Sequence, residues 1–465
     1  MTYFIETYGC QMNVHDSERM AGLLEQAGYD LADSDRDADL VVVNTCSVRE
    51  RAEEKLYTRL GEIRQMARET GRDPIVAVTG CVAQQEGPTL LTRSPGIIDL
   101  IVGTQRLKML PVLVAQQRDS RVSPTIDVTT PYDEPSFPLG IVRRDDGVKA
   151  YVTIIEGCND FCTFCVVPYT RGHERMRPKS EILREVGEAA AHGRREVQLL
   201  GQIVNHYQAP DDPSCDFPAL LEAVHEVSGI ERIRFASPHP RHTSDRLIAA
   251  VRDLPKVCKH LHLPVQSGST RVLTRMRRRY SREAYLDTLA KIRSAIPNIQ
   301  LSTDMIVGFP GETPGDFEET LTLTETARYH SMFSFKYSER PNTLASKRMA
   351  DDVPEEEKTR RIVALQQMQR RIQWELHEQS VGRTVRVLVD HTSRRRDWEL
   401  SGRTGGNTVV NFPGAPGLVG QLVAVTIRRA GPNSVWGEMA GASDPRRGAS
   451  PASGAQAELG GEVRP

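Results

Sequence analysis

The chain has 465 residues, 39% hydrophobic and 26% charged, enough for roughly two to four domains with separate cores. A formal net charge of -1 gives no global electrostatic signature of a nucleic-acid binder, which leaves only local basic patches for that role. With no basic, apolar leader and no stretch of about 18 apolar residues, the sequence predicts a soluble cytoplasmic chain without a membrane span, whose cysteines stay reduced.

Three β-branched apolar runs open the chain, and each ends at a cysteine. Residues 3–9 lead to Cys10, 40–45 to Cys46 and 75–80 to Cys81. The separations of 36 and 35 residues are close to one strand–helix unit. Helical patterns over 16–27 and 48–70 fill the gaps, and a further strand is predicted over 97–102. Alternating strands and helices imply a parallel sheet whose strand C-termini share one edge. Cys10, Cys46 and Cys81 are therefore expected to converge as a three-thiolate metal site. The glycine or threonine before each suits close backbone approach. The competing reading is three unrelated buried thiols at strand ends. His15 is read as a surface helix residue. Composition then predicts a first domain over 1–117 and a Pro-, Asp- and Ser-rich linker over 118–147.

The central stretch, 148–379, resumes the alternation. Strands are predicted over 150–155, 196–200, 232–236, 260–264, 300–306 and 333–337. Helices are predicted over 180–192, 217–228, 243–252, 281–295 and 314–329, the last capped by Thr313 with Pro314 and Asp316. Six units suggest a partial (β/α)6 barrel with its chemistry at the strand C-termini. Just after the first strand comes Cys158-x3-Cys162-x2-Cys165, three of the chain's eight cysteines within eight residues. Three thiolates hold three irons of a four-iron cluster and leave the fourth free, whereas a structural site would be closed by a fourth protein ligand. Cys215 and Cys258 have no motif partners and are read as a loop thiol and a buried small residue. A charged helix from 355 to about 379 is expected to pack on the barrel's side with its Arg and Gln run solvated.

The Cys158/Cys162/Cys165 spacing, with Phe164 before the last cysteine, resembles the radical S-adenosylmethionine superfamily. The resemblance implies a [4Fe-4S] cluster on this loop and S-adenosylmethionine on its free iron. Phe164 and Gln202 would then contact the cofactor, and the glycines of 308–313 would admit the nucleoside. Ile203 stands where the family usually has Asn. Residues 8–13, 44–49, 79–83, 156–172, 237–240 and 261–269 resemble the methylthiotransferases within that superfamily. That implies two [4Fe-4S] clusters, the second on Cys10, Cys46 and Cys81, presenting sulfur. The activity implied is methylthiolation of C2 of N6-isopentenyladenosine next to the anticodon of tRNA, by a 5′-deoxyadenosyl radical. Residues 8–13 and 409–413 lean towards this branch rather than those acting on a ribosomal protein aspartate or on threonylcarbamoyl-adenosine. From another class, a non-enzymatic RNA-binding protein with structural zinc would need further ligands. The implied partners are the tRNA anticodon stem-loop, a reductant such as flavodoxin or ferredoxin, and a sulfur donor or cluster-repair protein; a monomer is expected.

Beyond 380, alternating runs at 384–389, 409–412 and 422–427 predict a small antiparallel β-barrel over 380–440. Arg383, Arg386, Arg394, Arg395, Arg396 and Arg403, with Trp398 and Phe412 for stacking, suggest an RNA-binding module similar to the TRAM domain. A second basic run, Arg275, Arg277, Arg278 and Arg279, is expected to meet phosphates. The small barrel is expected to bring RNA into a cavity shared by both cysteine triplets. The tail, 441–465, is rich in Gly, Ala, Ser and Pro and is expected to be disordered.

Overall fold

The computed structural model describes residues 1–47, 50–121, 123–130, 142–144, 146–393, 396 and 398–441. Val43 and its neighbours show why the N-terminal strands form. Leu40 and Val42 pack with Met20, Leu24, Leu110 and Val114 on one face. Val41 and Val43 pack with Leu56, Leu60 and Ile63 on the other. A strand apolar on both faces belongs inside a parallel sheet covered by helices. Six parallel strands form it, in the spatial order Asp30–Leu31, Thr2–Tyr8, Leu40–Thr45, Ile75–Gly80, Leu100–Val102, Thr125–Asp127.

Two of those strands differ from expectation. Asp30–Leu31, absent from the sequence reading, lies outside Thr2–Tyr8, so the chain runs out to the edge and then back past its first strand. That reversal makes the gap between Thr2–Tyr8 and Leu40–Thr45 the topological switch point, the usual crevice of such sheets. Thr125–Asp127 falls in the predicted linker but pairs with Leu100–Val102. Its Pro-rich flanks hid a strand only three residues long. Residues 131–141 of the linker lie outside the described residues, as does the predicted disorder beyond 441.

The central unit has six parallel strands in two groups: Lys149–Thr153, Glu196–Leu200 and Arg232–Phe235, then His260–His262, Gln300–Val307 and Ser331–Lys336. A parallel bridge from Ile233 to Val257 joins them. Helices Lys179–Ala191, Phe217–His225, Asp245–Asp253, Arg282–Ala295 and Pro314–Ala327 intervene along the chain, as predicted. The core runs from Ala150 and Val152 to Met305, Val307 and Tyr329. The long helix Glu355–Glu378 packs against the last strand. Its polar run is not simply solvated, since Lys358, Arg361 and Gln369 are buried. Arg361 pairs with Glu312 at 2.6 Å, and Gln369 donates to the Tyr329 carbonyl at 2.8 Å.

The C-terminal unit is a closed five-stranded barrel of Thr384–Thr392, Glu399–Thr404, Val409–Pro413, Val435–Met439 and Leu422–Arg429. Phe412, expected to stack on bases, is fully buried with Val387, Val410 and Val425, because its strand position points into the core. Trp398 is 55% exposed. Arg394 and Arg395 lie outside the described residues. The barrel docks through backbone groups. Arg232 donates to the carbonyls of Arg403 (2.5 Å) and Arg386 (2.9 Å), Arg234 to that of Thr404 (2.6 Å), and Lys149 pairs with Asp390 at 2.9 Å. Lys149, Arg232 and Gln300 begin their strands, so the small barrel covers the N-terminal end of the partial barrel. The loop carrying Cys158, Cys162 and Cys165 follows the C-terminal end of the first of these strands, the end away from the small barrel.

Candidate active site

Sheet register assembles the first triplet. Tyr8 pairs with Thr45 and Thr45 with Gly80, so the next residues of three strands leave the sheet edge side by side. Cys46 and Cys81 follow at once. Cys10 follows one residue later as N-cap of the helix Gln11–Gln26. Gly9 is required by packing: a Cβ there would lie 2.8 Å from that of Cys46. Gly80, at φ +89°, combines a left-handed backbone with a site where a Cβ would overlap Asn44 Oδ1.

Two fully buried asparagines brace this edge. Asn13 Nδ2 donates to Asn44 Oδ1 at 3.1 Å, and Asn44 Nδ2 donates to the Asn13 carbonyl at 2.8 Å and to Ser17 at 2.9 Å. Cys10 Sγ donates to Asn13 Oδ1 at 3.3 Å. Cys46 is hydrogen-bonded to both other thiols. Those bonds, with Cys10 and then Cys81, push Cys46 far up. They pull its partners down: Cys10 to about 6 and Cys81 to about 7, each helped further by the Arg171 guanidinium against its own burial. Cys10 and Cys81 thus have thiolate character, the form that binds metals, while Cys46 keeps its proton between them. Among the described residues no three His, Cys, Asp or Glu side chains are arranged around a single metal ion. A cluster, which gives each thiolate its own iron, does not need that arrangement.

The second triplet is a single loop held mainly by backbone. Gly157, at φ +79°, has no room for a Cβ beside the His173 carbonyl. Cys158 N–H donates to the Gly172 carbonyl at 3.1 Å, Thr163 N–H to that of Met276 at 3.1 Å, and Ala345 N–H to that of Thr163 at 2.8 Å. Burial pushes Cys158 up to about 11 and Cys165 up to about 12, so metal binding has to displace their protons. Arg278 turns inward: it donates to Cys162 Sγ at 3.4 Å, the Pro264 carbonyl at 2.9 Å and Tyr280 at 3.0 Å. It is buried, unlike the exposed Arg277 and Arg279, and does not belong to a phosphate-binding run.

The two units that carry the triplets meet along a buried seam. Arg171, thirteen residues after Cys158, donates through Nη2 to Asp16 Oδ2 at 2.6 Å, with Nη1 3.6 Å from Glu156. Thr104 and Gln105, of the N-terminal unit, donate to the carbonyls of Thr170 (2.5 Å) and Arg171 (2.8 Å). His15, expected at the surface, is fully buried here. Its Nδ1 lies 2.8 Å from Thr153 Oγ1 and its Nε2 is 3.4 Å from Glu185. Burial holds the His15 ring neutral, down to about 4. Its helix carries polar residues inward because the partner surface is the barrel, a contact that helix periodicity cannot reveal.

Gln202 also reaches the seam: Nε2 lies 2.7 Å from Met12 Sδ, and Oε1 is buried without a hydrogen-bond partner. Phe164 packs against Val272, Met276, Phe309 and Tyr337. Ile203 is buried. The glycines of 308–313, expected to admit the nucleoside, lie close to side chains of this chain. A Cβ at Gly308 would overlap the Lys358 side chain, and one at Gly311 would meet the Arg275 guanidinium at 2.9 Å. Cys215 and Cys258 are both buried; Cys215 lies in the loop before the helix Phe217–His225, with its side chain in the core. Beside the second triplet the sequence reading missed a polar cluster in which Asp160 faces His239 (3.6 Å) and Arg241 (3.2 Å). Its signal was present in Ser237-Pro238-His239-Pro240.

Known proteins resemble this chain along most of its length. Residues 2–103 match the uncharacterized protein family UPF0004, 152–324 the Radical SAM superfamily and 378–440 the TRAM domain. The tRNA-2-methylthio-N(6)-dimethylallyladenosine synthase of Geobacter metallireducens is 46% identical over 440 residues, covering 94% of this chain and 98% of that protein. The protein of the same name from Acetivibrio thermocellus is 45% identical over 426 residues, covering 91% and 88%. Among solved structures, the radical S-adenosylmethionine methyltransferase TsrM from Kitasatospora setae, with tryptophan substrate and a cofactor analogue bound, shares the fold. Its TM-score is 0.54 at 14% identity, over 74% of this chain and 75% of that one. Identity this high, sustained across all three units, shows that the chain belongs to the family of tRNA-2-methylthio-N(6)-dimethylallyladenosine synthases.

Proposed function

We propose that the protein methylthiolates C2 of N6-isopentenyladenosine next to the anticodon of tRNA, with S-adenosylmethionine as cosubstrate. The observation that carries this reading is the Arg171–Asp16 pair, which joins the arm of one cysteine loop to the helix that begins at the other triplet. Cys158, Cys162 and Cys165 would hold one [4Fe-4S] cluster and Cys10, Cys46 and Cys81 a second. Three cysteines at each site, binding as thiolates, fit such groups. Bound there with S-adenosylmethionine, the clusters would supply a radical able to attack an unactivated C–H bond and the sulfur that replaces the hydrogen.

The chain's own residues position and shield. Gly9, Gly80 and Gly157 let the backbones that carry the ligands pass closely. Thr104 and Gln105 clamp residues 170–171, so the seam between the two units is buried there. The free Oε1 of Gln202 and the ring of Phe164 are the groups we assign to S-adenosylmethionine. Unstacking an anticodon-loop base costs a few kcal/mol. Trp398, with the Arg396 guanidinium 5.6 Å from its ring centre, offers a stacking surface for RNA on the C-terminal barrel. We assign 1–117, 148–379 and 380–440 as the three domains, acting as a monomer supplied with electrons by a flavodoxin or ferredoxin and with sulfur by a donor or repair protein.

Nucleoside mass spectrometry of tRNA from a deletion strain, with and without the gene restored, tests the reading. Methylthio-isopentenyladenosine should vanish and return. Unchanged levels, or loss of a methylthiolated threonylcarbamoyl-adenosine instead, would overturn it.

A further inference from the structure

Arg171 has a second arm that its known contacts do not use. The guanidinium is 3% exposed, and Nη2 is taken by Asp16 at 2.6 Å. Nη1 has no hydrogen-bond partner, being 3.6 Å from the nearest Glu156 oxygen. A buried N–H left without an acceptor costs about 1–3 kcal/mol, more when charged, and such groups point to a ligand. The surroundings say which. The short helix Cys81–Glu86 packs against Val167–Thr170, the turn that leads into Arg171. Cys81 is the first residue of that helix, so the packing brings Arg171 to the edge where the N-terminal triplet leaves its sheet. The acceptor that belongs beside Nη1 is therefore anionic sulfur at the N-terminal triplet.

We propose that Arg171, although carried by the cysteine loop of the central domain, is a positioning residue for the other triplet: its free Nη1 donates to sulfur held at Cys10, Cys46 and Cys81 and raises the reduction potential of that site. This rests on the reading that an iron–sulfur cluster is held there. Hydrogen bonds to cluster sulfur and local charge are the levers by which proteins set such potentials. Asp16 offsets most of the net charge, so the effect acts through the donor at short range. The arrangement divides labour by domain: each triplet is bracketed by a buried arginine, Arg278 at Cys162 and Arg171 at the N-terminal site, and both arginines come from the central domain.

The test uses the full chain carrying Cys158→Ala, Cys162→Ala and Cys165→Ala, loaded anaerobically, so that only N-terminal iron remains. Midpoint potential is read by spectroscopic redox titration beside iron and sulfide content. Arg171→Lys keeps the charge and a partner for Asp16 but has no second arm. It should retain iron and shift the reduction equilibrium about tenfold towards the oxidised form, which is about 59 mV for one electron. Arg171→Gln should shift it at least as far. Full iron with an unchanged midpoint in both variants would overturn the proposal and leave Arg171 as a domain tie. Loss of iron from both, with the fold retained by circular dichroism, would overturn it as well, since Arg171 would then be needed for assembly. A parent protein with no iron at all would instead remove the cluster reading itself.

Discussion

The two cysteine triplets offer the same three thiols by opposite constructions. The N-terminal set is gathered from three strands by register and fixed by side chains: Asn13, Asn44, Ser17 and, across the seam, Arg171. The central set is one short loop fixed mostly by backbone hydrogen bonds from the turns at 172, 276 and 345. Their electrostatics differ accordingly. Shared hydrogen bonds bring Cys10 and Cys81 down towards neutrality, while burial drives Cys158 and Cys165 up. A local loop can be written into any sequence that supplies the glycine before it. A site made by register exists only once the sheet is folded, and it needs side chains to hold the edge.

The largest expected effect breaks the comparison outright. Anaerobically loaded protein should carry about eight irons, given four per cluster. Replacing Cys10, Cys46 and Cys81 together by Ala, or the three central cysteines together, should leave about four in either case. Loss of all iron from one triple variant would show that the sites are not independent.

Next is a difference of orders of magnitude in thiol reactivity. The thiolate is the nucleophile, so alkylation follows its fraction. In metal-free protein at pH 7.5, Cys10, lowered to about 6, is mostly thiolate. Cys158, raised to about 11, is thiolate at only about one part in a thousand to ten thousand. Mass spectrometry after brief iodoacetamide treatment should therefore find Cys10 modified first at pH 7.5, with Cys158 following only as the pH is raised past 10. Equal labelling of the two at pH 7.5 would erase the electrostatic distinction.

How much of this was legible in the sequence follows the same division. The central loop could be read directly, because its cysteines are neighbours in the chain. The N-terminal triplet was legible because three strands of matching length each ended at a cysteine, which is a register statement. The barrel strands were found by their apolar runs, and strand 196–200 and helix 314–327 came out within a few residues of the fold. What failed were long-range contacts of single side chains, within one unit for Lys358, Arg361 and Phe412 and between units for His15. His15, Lys358 and Arg361 looked like solvent-facing helix positions, and Phe412 like a surface aromatic. Each is decided by what packs against it from a distant part of the chain. The strands Asp30–Leu31 and Thr125–Asp127 were invisible for a different reason: two or three residues carry no periodicity, and their pairing partners create them.

Gly80→Ala probes the register side at moderate size. The residue sits at φ +89° with Asn44 Oδ1 in the way, so strain and overlap together should cost about 2–4 kcal/mol. Gly28, at φ +84° with nothing within 4 Å, is the control, where Ala should cost only about 1 kcal/mol. Urea unfolding measures both, and iron content should fall only in the first. Equal costs would mean that backbone conformation alone, and not the asparagine brace, limits the site.

The smallest effect separates side-chain support from backbone support. Asn44→Ala removes three hydrogen bonds of one side chain and strands the buried Asn13 amide, for about 1–3 kcal/mol and a measurable loss of N-terminal iron. Thr163→Ala in the central loop removes only the bond from Oγ1 to the Arg275 carbonyl, 3.0 Å long. The backbone bonds of Thr163 to Met276 and Ala345 remain, so about 1 kcal/mol and no loss of central iron is expected. Iron content after a long chelator challenge reads the difference more sharply than stability does, because it reports each site's own opening. If Thr163→Ala released iron as readily as Asn44→Ala, the central loop would depend on side chains too, and the contrast would reduce to how far apart in the sequence the ligands lie.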